Sequence, residues 1–132
     1  MQHASGPFDV TVKPVAQSEH EGGTTLGRYS LEKTWHGDLE GTSHGEMLTA
    51  GTAVPGSAGY VAIERVAGTL AGRRGTFALQ HLAWMAHGEQ ELIIRIVPDS
   101  GTGALAGIAG TLRIEIEGKK HSYRLEYTLP AG

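Results

Sequence analysis

Glycine recurs at short intervals between runs of β-branched and aromatic residues, most densely in residues 68–81 (GTLAGRRGTFALQH). A second block, residues 100–110 (SGTGALAGIAG), repeats the pattern. The chain contains 20 glycines in 132 residues, about twice the usual share of ~7 %, and they follow no Gly-X-Y period. Glycine at this spacing allows tight turns, bulges and close backbone approach, which together bend a sheet. The pattern therefore predicts curved β-strands.

Turn signals divide the chain into eight candidate strands joined mostly by short loops. The seventh strand alternates most cleanly, with Ile114 and Ile116 on one face and Arg113 and Glu115 on the other. An open eight-stranded meander would expose two apolar edges, whereas closure of the sheet removes both. We predict an all-β fold, a single small closed eight-stranded antiparallel meander β-barrel. It forms one domain over residues 1–132, with an ordered core of roughly 7–129; a two-sheet sandwich is the alternative.

Composition excludes several classes of function. The net charge is -3, which provides no basic field for a phosphate backbone, so nucleic acid is not an expected partner. The absence of cysteine excludes disulfides, thiolate metal sites and a cysteine nucleophile. No apolar run approaches the ~18 residues that span a bilayer, and the start carries no secretory signal pattern. We expect a soluble cytoplasmic protein without membrane association.

Four ordered sequence blocks resemble the bacterial domain-of-unknown-function family 3224. They are residues 37–41 (GDLEG), 64–73 (ERVAGTLAGR), 75–81 (GTFALQH) and 97–110 (VPDSGTGALAGIAG). The resemblance extends over nearly the whole chain and implies an eight-stranded barrel similar to that of allene oxide cyclase. It implies no agreed biochemical activity. The catalytic residues of the plant cyclases have no matching motif here, so no catalytic residue is assigned.

Three polar residues stand where strand alternation would place apolar ones: Lys33, Arg65 and His81. A charge that faces a barrel interior needs a partner or a ligand, because its desolvation is costly. Glu64 is the carboxylate nearest to Arg65 in sequence, but it lies on the opposite face unless a bulge intervenes. The fourth strand is ambiguous, because the face of Glu64 is almost as apolar as that of Arg65, and a shift of one residue exchanges the faces.

Two interpretations of these polar residues remain open: satisfied structural groups, or part of a ligand site with apolar walls. The ligand-binding candidates are Lys33, Trp35, Glu64, Arg65, Phe77 and His81. The favoured function is binding of a small apolar or amphipathic ligand inside the barrel, without a cofactor. The alternatives are a cyclase- or isomerase-like enzyme that uses Lys33, Glu64 or His81 as acid or base, and a non-catalytic oligomeric module.

The seven histidines do not indicate a metal site. His36 and His44, like His81 and His87, lack a recognised ligand spacing, and no His-X-His pair occurs. The Gly101–Gly103 segment resembles a phosphate loop only in its glycines, since no helix follows it. We therefore expect no metal and no nucleotide cofactor.

The fifth candidate strand carries apolar side chains on both of its faces: Phe77, Leu79 and Met85 on one, and Ala78, Leu82 and Trp84 on the other. A barrel interior uses only one face of each strand. The surplus apolar surface predicts a subunit contact, in a homodimer or a homotrimer.

Overall fold

The computed structural model describes residues 1–130 and forms one closed barrel. Eight antiparallel strands pair in chain order, and the first pairs with the last, which confirms the predicted meander barrel. The strands are β1 (Gln2–Gln17), β2 (Thr24–Trp35), β3 (Leu39–Thr52), β4 (Ala58–Leu70), β5 (Arg73–Ala86), β6 (Glu89–Ile96), β7 (Ala109–Glu117) and β8 (Lys120–Thr128). No helix within residues 1–130 is long and apolar enough to cross a membrane.

Strand β1 closes the barrel by changing its partner midway. Its first half, from Gln2 to Phe8, pairs with β8, and its second half, from Phe8 to Gln17, pairs with β2. The ordered structure therefore begins earlier than the expected residue 7, because the backbone of residues 2–6 completes the sheet. Beyond Phe8, β1 and β8 separate and leave a seam in the wall. An open cavity of about 640 Å³ lies at this seam. Phe8, Val10 and His121 line it together with charged residues, which are Asp9, Glu115, Glu117, Lys119 and Lys120.

One end of the barrel is closed by the connection between β6 and β7. This segment contains a 3₁₀ turn at Gly103–Leu105, and the side chains of Leu105 and Ile108 are fully buried among the core residues. Strands β6 and β7 share two paired positions, Ile94 with Leu112 and Arg95 with Thr111. The short pairing follows because the chain leaves β6 to cover the end of the barrel.

The opposite end is open and apolar. Four side chains that strand alternation places on the inner face are nevertheless exposed there: Val12, Met85, Leu92 and Ile116, at 43, 42, 41 and 62 %. The equivalent inner positions near the closed end, such as Leu79 and Leu125, are fully buried. The barrel interior is therefore closed and packed at one end and open at the other. We call the four exposed side chains at the open end the apolar rim.

The plug at the closed end generates a stability prediction. Leu105→Ala removes a side chain that is 0 % exposed and leaves a cavity, so we expect a loss of about 2–5 kcal/mol in the free energy of unfolding. Leu26→Ala is the control, because Leu26 is 57 % exposed and its truncation should change the value by less than about 0.5 kcal/mol. Urea denaturation of both variants measures the difference. Similar losses in the two would contradict a packed base.

Candidate functional site

The barrel interior holds a cluster of polar side chains from four consecutive strands. Lys33 lies on β2, Ser43 on β3, Glu64 on β4 and His81 on β5, and each is at most 5 % exposed. Ser43 pairs with Val66, which is two residues from Glu64. Glu64 in turn pairs with Leu79, which is two residues from His81. This stagger matches the tilt of strands in a closed barrel, so the side chains meet at one level. We call these four residues the Glu64 cluster.

The carboxylate of Glu64 accepts every hydrogen bond at the centre of the cluster. Its Oε2 accepts one from Lys33 Nζ at 2.8 Å and one from His81 Nε2 at 2.6 Å. Its Oε1 accepts one from the Ser43 hydroxyl at 2.7 Å, and the Ser43 oxygen accepts one from Trp35 Nε1 at 3.1 Å. An ionised carboxylate can only accept, so His81 Nε2 carries a hydrogen, and in the neutral imidazole Nδ1 is then the acceptor.

Gly45 permits the close packing of β3 against Glu64. The two residues are directly paired, and a Cβ placed on Gly45 would lie 2.6 Å from the Glu64 Cα and 2.8 Å from its Cβ. Any larger residue at position 45 would displace the backbone that carries the central carboxylate. This glycine therefore has a role in the site as well as in the curvature of the sheet.

The electrostatics of the cluster keep Glu64 charged. Burial raises the pKa of the Glu64 carboxyl. The hydrogen bonds from His81 and Lys33 and the electrostatic interactions with both residues outweigh that effect and lower the pKa from 4.5 to about 2. The pKa of Tyr60, a half-buried residue on the same inner face of β4, is shifted in the opposite direction. Burial and the negative charge of Glu64 raise the pKa of its hydroxyl, which therefore remains a hydrogen-bond donor.

Two aromatic rings surround the ammonium group of Lys33. Its Nζ lies 5.2 Å from the centre of the Trp35 ring and 5.5 Å from that of Phe8. The Phe8 ring in turn packs edge-on against His121, with centroids 5.4 Å apart. Cation–π contact partly compensates the desolvation of the ammonium. Phe8 and His121 also line the seam cavity, so the aromatic pair lies between that cavity and Lys33.

Lys33 and His81 face inward, whereas Arg65 does not, and this resolves the facing of the fourth strand that the sequence left open. Arg65 is exposed on the outer surface, and Glu64 occupies the interior of β4. The sequence left the facing open because Val61 and Ile63 make the outer face of β4 as apolar as a core face; both are exposed, at 46 and 58 %.

The two predicted aromatic residues have different relations to the Glu64 cluster. Trp35 is fully buried and joins the cluster through its bond to Ser43. Phe77 is also buried, but it lies four residues nearer to the closed end than His81 and packs in the apolar core.

Sequence reasoning did not place Ser43 or Tyr60 among the ligand-binding candidates. Ser43 interrupts the inner face of β3 between Leu39 and Met47, a signal of the same kind as that of Lys33. Tyr60 looked like an ordinary wall residue, and its proximity to Glu64 follows from the corrected facing of β4. Within the described residues, no group of three or more His, Asp or Glu side chains could hold a metal ion.

Comparison with known proteins gives one family and a close structural relative. The sequence model of the family described as "Protein of unknown function (DUF3224)" matches residues 4–127. The crystal structure of a DUF3224 protein of unknown function from Shewanella oneidensis MR-1 is similar over 100 % of this chain and 99 % of that one. The two share 47 % sequence identity, with a TM-score of 0.93. No curated protein matches the sequence.

The charge balance of the cluster predicts a strong effect of Glu64→Gln. The variant leaves the Lys33 ammonium buried without its counter-charge, so we expect a loss of about 3–5 kcal/mol in the free energy of unfolding at pH 7. In the wild-type protein, the pKa of about 2 lies below the unfolded value of 4.5. The stabilisation from Glu64 is therefore present above about pH 4.5 and is lost as the pH falls towards 2.

Urea denaturation between pH 2 and 7 measures both effects. Glu126→Gln is the matched control, because Glu126 is a partly exposed carboxylate on β8 that contacts His3 at 3.9 Å, and its loss should cost less than about 1 kcal/mol. Equal losses in the two variants at pH 7 would contradict the buried charge balance.

Proposed function

The chain belongs to the DUF3224 family, and we propose that it binds a small apolar or amphipathic molecule in the open half of the barrel. The observation that carries the proposal is the Glu64 cluster, a set of buried and interacting charges beneath an apolar opening. The body of the ligand would contact the apolar rim, and its polar group would meet the cluster. Small-molecule sites have this composition, apolar walls with a few convergent polar groups.

Stability alone is a weak reason for such a cluster. A buried ion pair often contributes no more than well-packed apolar residues of the same volume, and its replacement can stabilise a protein by about 1–4 kcal/mol. The inner positions around the cluster show that this barrel can be filled with apolar side chains, as with Leu31 and Ile94, which are 6 and 2 % exposed. The charges of Lys33 and Glu64 therefore favour a role in binding.

The cluster retains hydrogen-bonding capacity that the described residues do not use. The Lys33 ammonium has three hydrogens, and its one hydrogen bond is to Glu64. No hydrogen bond joins His81 Nδ1 or the Tyr60 hydroxyl to any of residues 1–130. Both atoms retain some contact with solvent, since every fully enclosed side-chain N or O atom of these residues has a hydrogen-bond partner. These groups supply two kinds of donor and one acceptor. A hydroxyl or protonated carboxyl group on the ligand could bond to both kinds of group, because it donates as well as accepts.

The apolar body of the ligand would lie above the cluster. Ala62 pairs with His81, and Ala83 lies two residues further towards the open end, so small side chains replace bulky ones at this level. The seam cavity of about 640 Å³ opens beside Phe8 and is within the usual range of ~300–1,000 Å³ for ligand sites. A medium-chain carboxylic acid or alcohol fits both the apolar rim and the polar base.

A cyclase- or isomerase-like enzyme is the second candidate, and the Glu64–His81 pair is the observation that favours it. A carboxylate that accepts from one imidazole nitrogen orients the ring and leaves the other nitrogen free as a general base. His81 Nδ1 would then take a proton from the bound molecule, and Lys33 or Tyr60 would stabilise the developing negative charge on an oxygen. Binding is required in both candidates.

His81→Leu separates a binding role from a structural one. If His81 meets the ligand, the variant should keep its melting temperature or raise it, and its affinity should fall about tenfold or more. The probe is the fluorescence of 1-anilinonaphthalene-8-sulfonate, displaced by decanoate and by decan-1-ol. If the residue is purely structural, the change should cost about 1–3 kcal/mol of stability and leave displacement unchanged. His44→Leu, at an exposed position on β3, is the matched control and should alter neither.

A further inference from the structure

The outer surface of β3–β6 carries a continuous row of apolar side chains, one from each strand. Leu48 pairs with Val61, Val61 with Leu82, and Leu82 with Ile93, so the four side chains stand side by side across the sheet. They are 54, 46, 54 and 44 % exposed, and Ile63 beside them is 58 % exposed. We call these five residues the apolar face. Soluble monomers rarely expose so continuous an apolar surface.

The apolar face is shaped to receive another surface. A shallow groove of about 640 Å³ runs between Leu48, Val61, Ile63 and Leu82, and the backbone of Gly45 contributes to its lining. Polar residues with charges of opposite sign lie at the two edges. Glu46 stands at the β3 edge, where Arg28 of the same chain pairs with it at 2.7 Å. Arg95 stands at the β6 edge in the same row of paired residues, which runs through Ile63 and Gln80.

We propose that a second copy of this chain covers the apolar face and forms a two-fold symmetric dimer. The symmetry axis lies between the two sheets, parallel to the strands and midway between β4 and β5. Rotation about this axis places β3 of one copy over β6 of the other, and β4 over β5. The proposal does not depend on ligand binding, since the face is outside the barrel.

The contacts made by this rotation are complementary. Leu48 of one copy lies opposite Ile93 of the second copy, and Val61 lies opposite Leu82. The apolar row of one copy therefore packs against the same row of the other. In the next row, Glu46 lies opposite Arg95 of the second copy. Because an isologous interface repeats each contact, two such ion pairs would flank the apolar centre.

The third row places a large side chain against a small one. Trp84 pairs with Gly59 within one sheet, and the same rotation sets Trp84 opposite Gly59 of the second copy. Trp84 is 41 % exposed, and its Nε1 donates to Glu91 at 2.9 Å, which holds the indole in place. The space above a glycine accommodates the ring, and tryptophan is a frequent anchor at interfaces.

Sedimentation equilibrium at micromolar concentration tests the proposal with a matched pair of variants. We expect the wild-type protein to have twice the 13.9 kDa mass of the chain, and Val61→Glu to sediment as a monomer with an unchanged strand signal in circular dichroism. Val15→Glu is the control: Val15 is 51 % exposed on β1, away from the apolar face, and this variant should remain dimeric. A monomeric or trimeric wild-type protein, or a dimeric Val61→Glu variant, would overturn the proposal.

Charge exchange tests the predicted pairing directly. In the Arg95→Glu dimer, Glu46 of each copy lies opposite an acidic side chain. In the Glu46→Arg dimer, Arg95 of each copy lies opposite a basic side chain. Each variant alone should therefore associate about tenfold more weakly than the wild-type protein. An equimolar mixture restores both opposite-charge pairs in the heterodimer. We therefore expect the mixture to dimerise like the wild-type protein. A mixture that associates no better than either variant alone would refute this arrangement of the two copies.

Discussion

The ionised carboxylate of Glu64, which is 1 % exposed, sets the requirements for the rest of the interior. A charge at that depth must be compensated, and strands β2, β3 and β5 each deliver one donor to it, from Lys33, Ser43 and His81. These donors come together only if the sheet closes with the observed stagger. The directly paired Gly45 is needed for the same reason, since a side chain there would displace Glu64. The cluster therefore depends on the closed fold.

The two halves of the barrel perform different tasks. The closed half, sealed by Leu105 and Ile108, packs like an ordinary core and stabilises the closed sheet. In the open half the inner-face side chains are less buried, since Met85 and Ile116 are exposed to solvent. The Glu64 cluster lies between the halves, where a bound molecule would meet both polar groups and apolar walls. We expect this division in a barrel that binds a ligand, whereas a barrel with a purely structural role does not need it.

The sequence predicts the barrel well because its evidence is local. Turn residues and clean alternation, as in β7, specify strands and their order. The facing of Lys33 and His81 is also predictable, because each interrupts a row of large apolar side chains. On β4 the same reasoning fails, since Val61 and Ile63 outside are as apolar as Ala62 and Val66 inside. The meeting of four residues between positions 33 and 81 depends on strand tilt and register, which no local pattern encodes.

The apolar residues that made the facing of β4 ambiguous are those of the outer face, so one feature explains both the ambiguity and the proposed dimer. The central claim, however, concerns the interior: the Glu64 cluster is retained for binding rather than for stability. The most direct test is the free energy of unfolding of the triple variant Lys33→Met, Glu64→Leu, His81→Leu, in which no charge is left without a partner. The account predicts a value equal to or above that of the wild-type protein. A loss of several kcal/mol would show that the cluster stabilises the barrel and would contradict the claim.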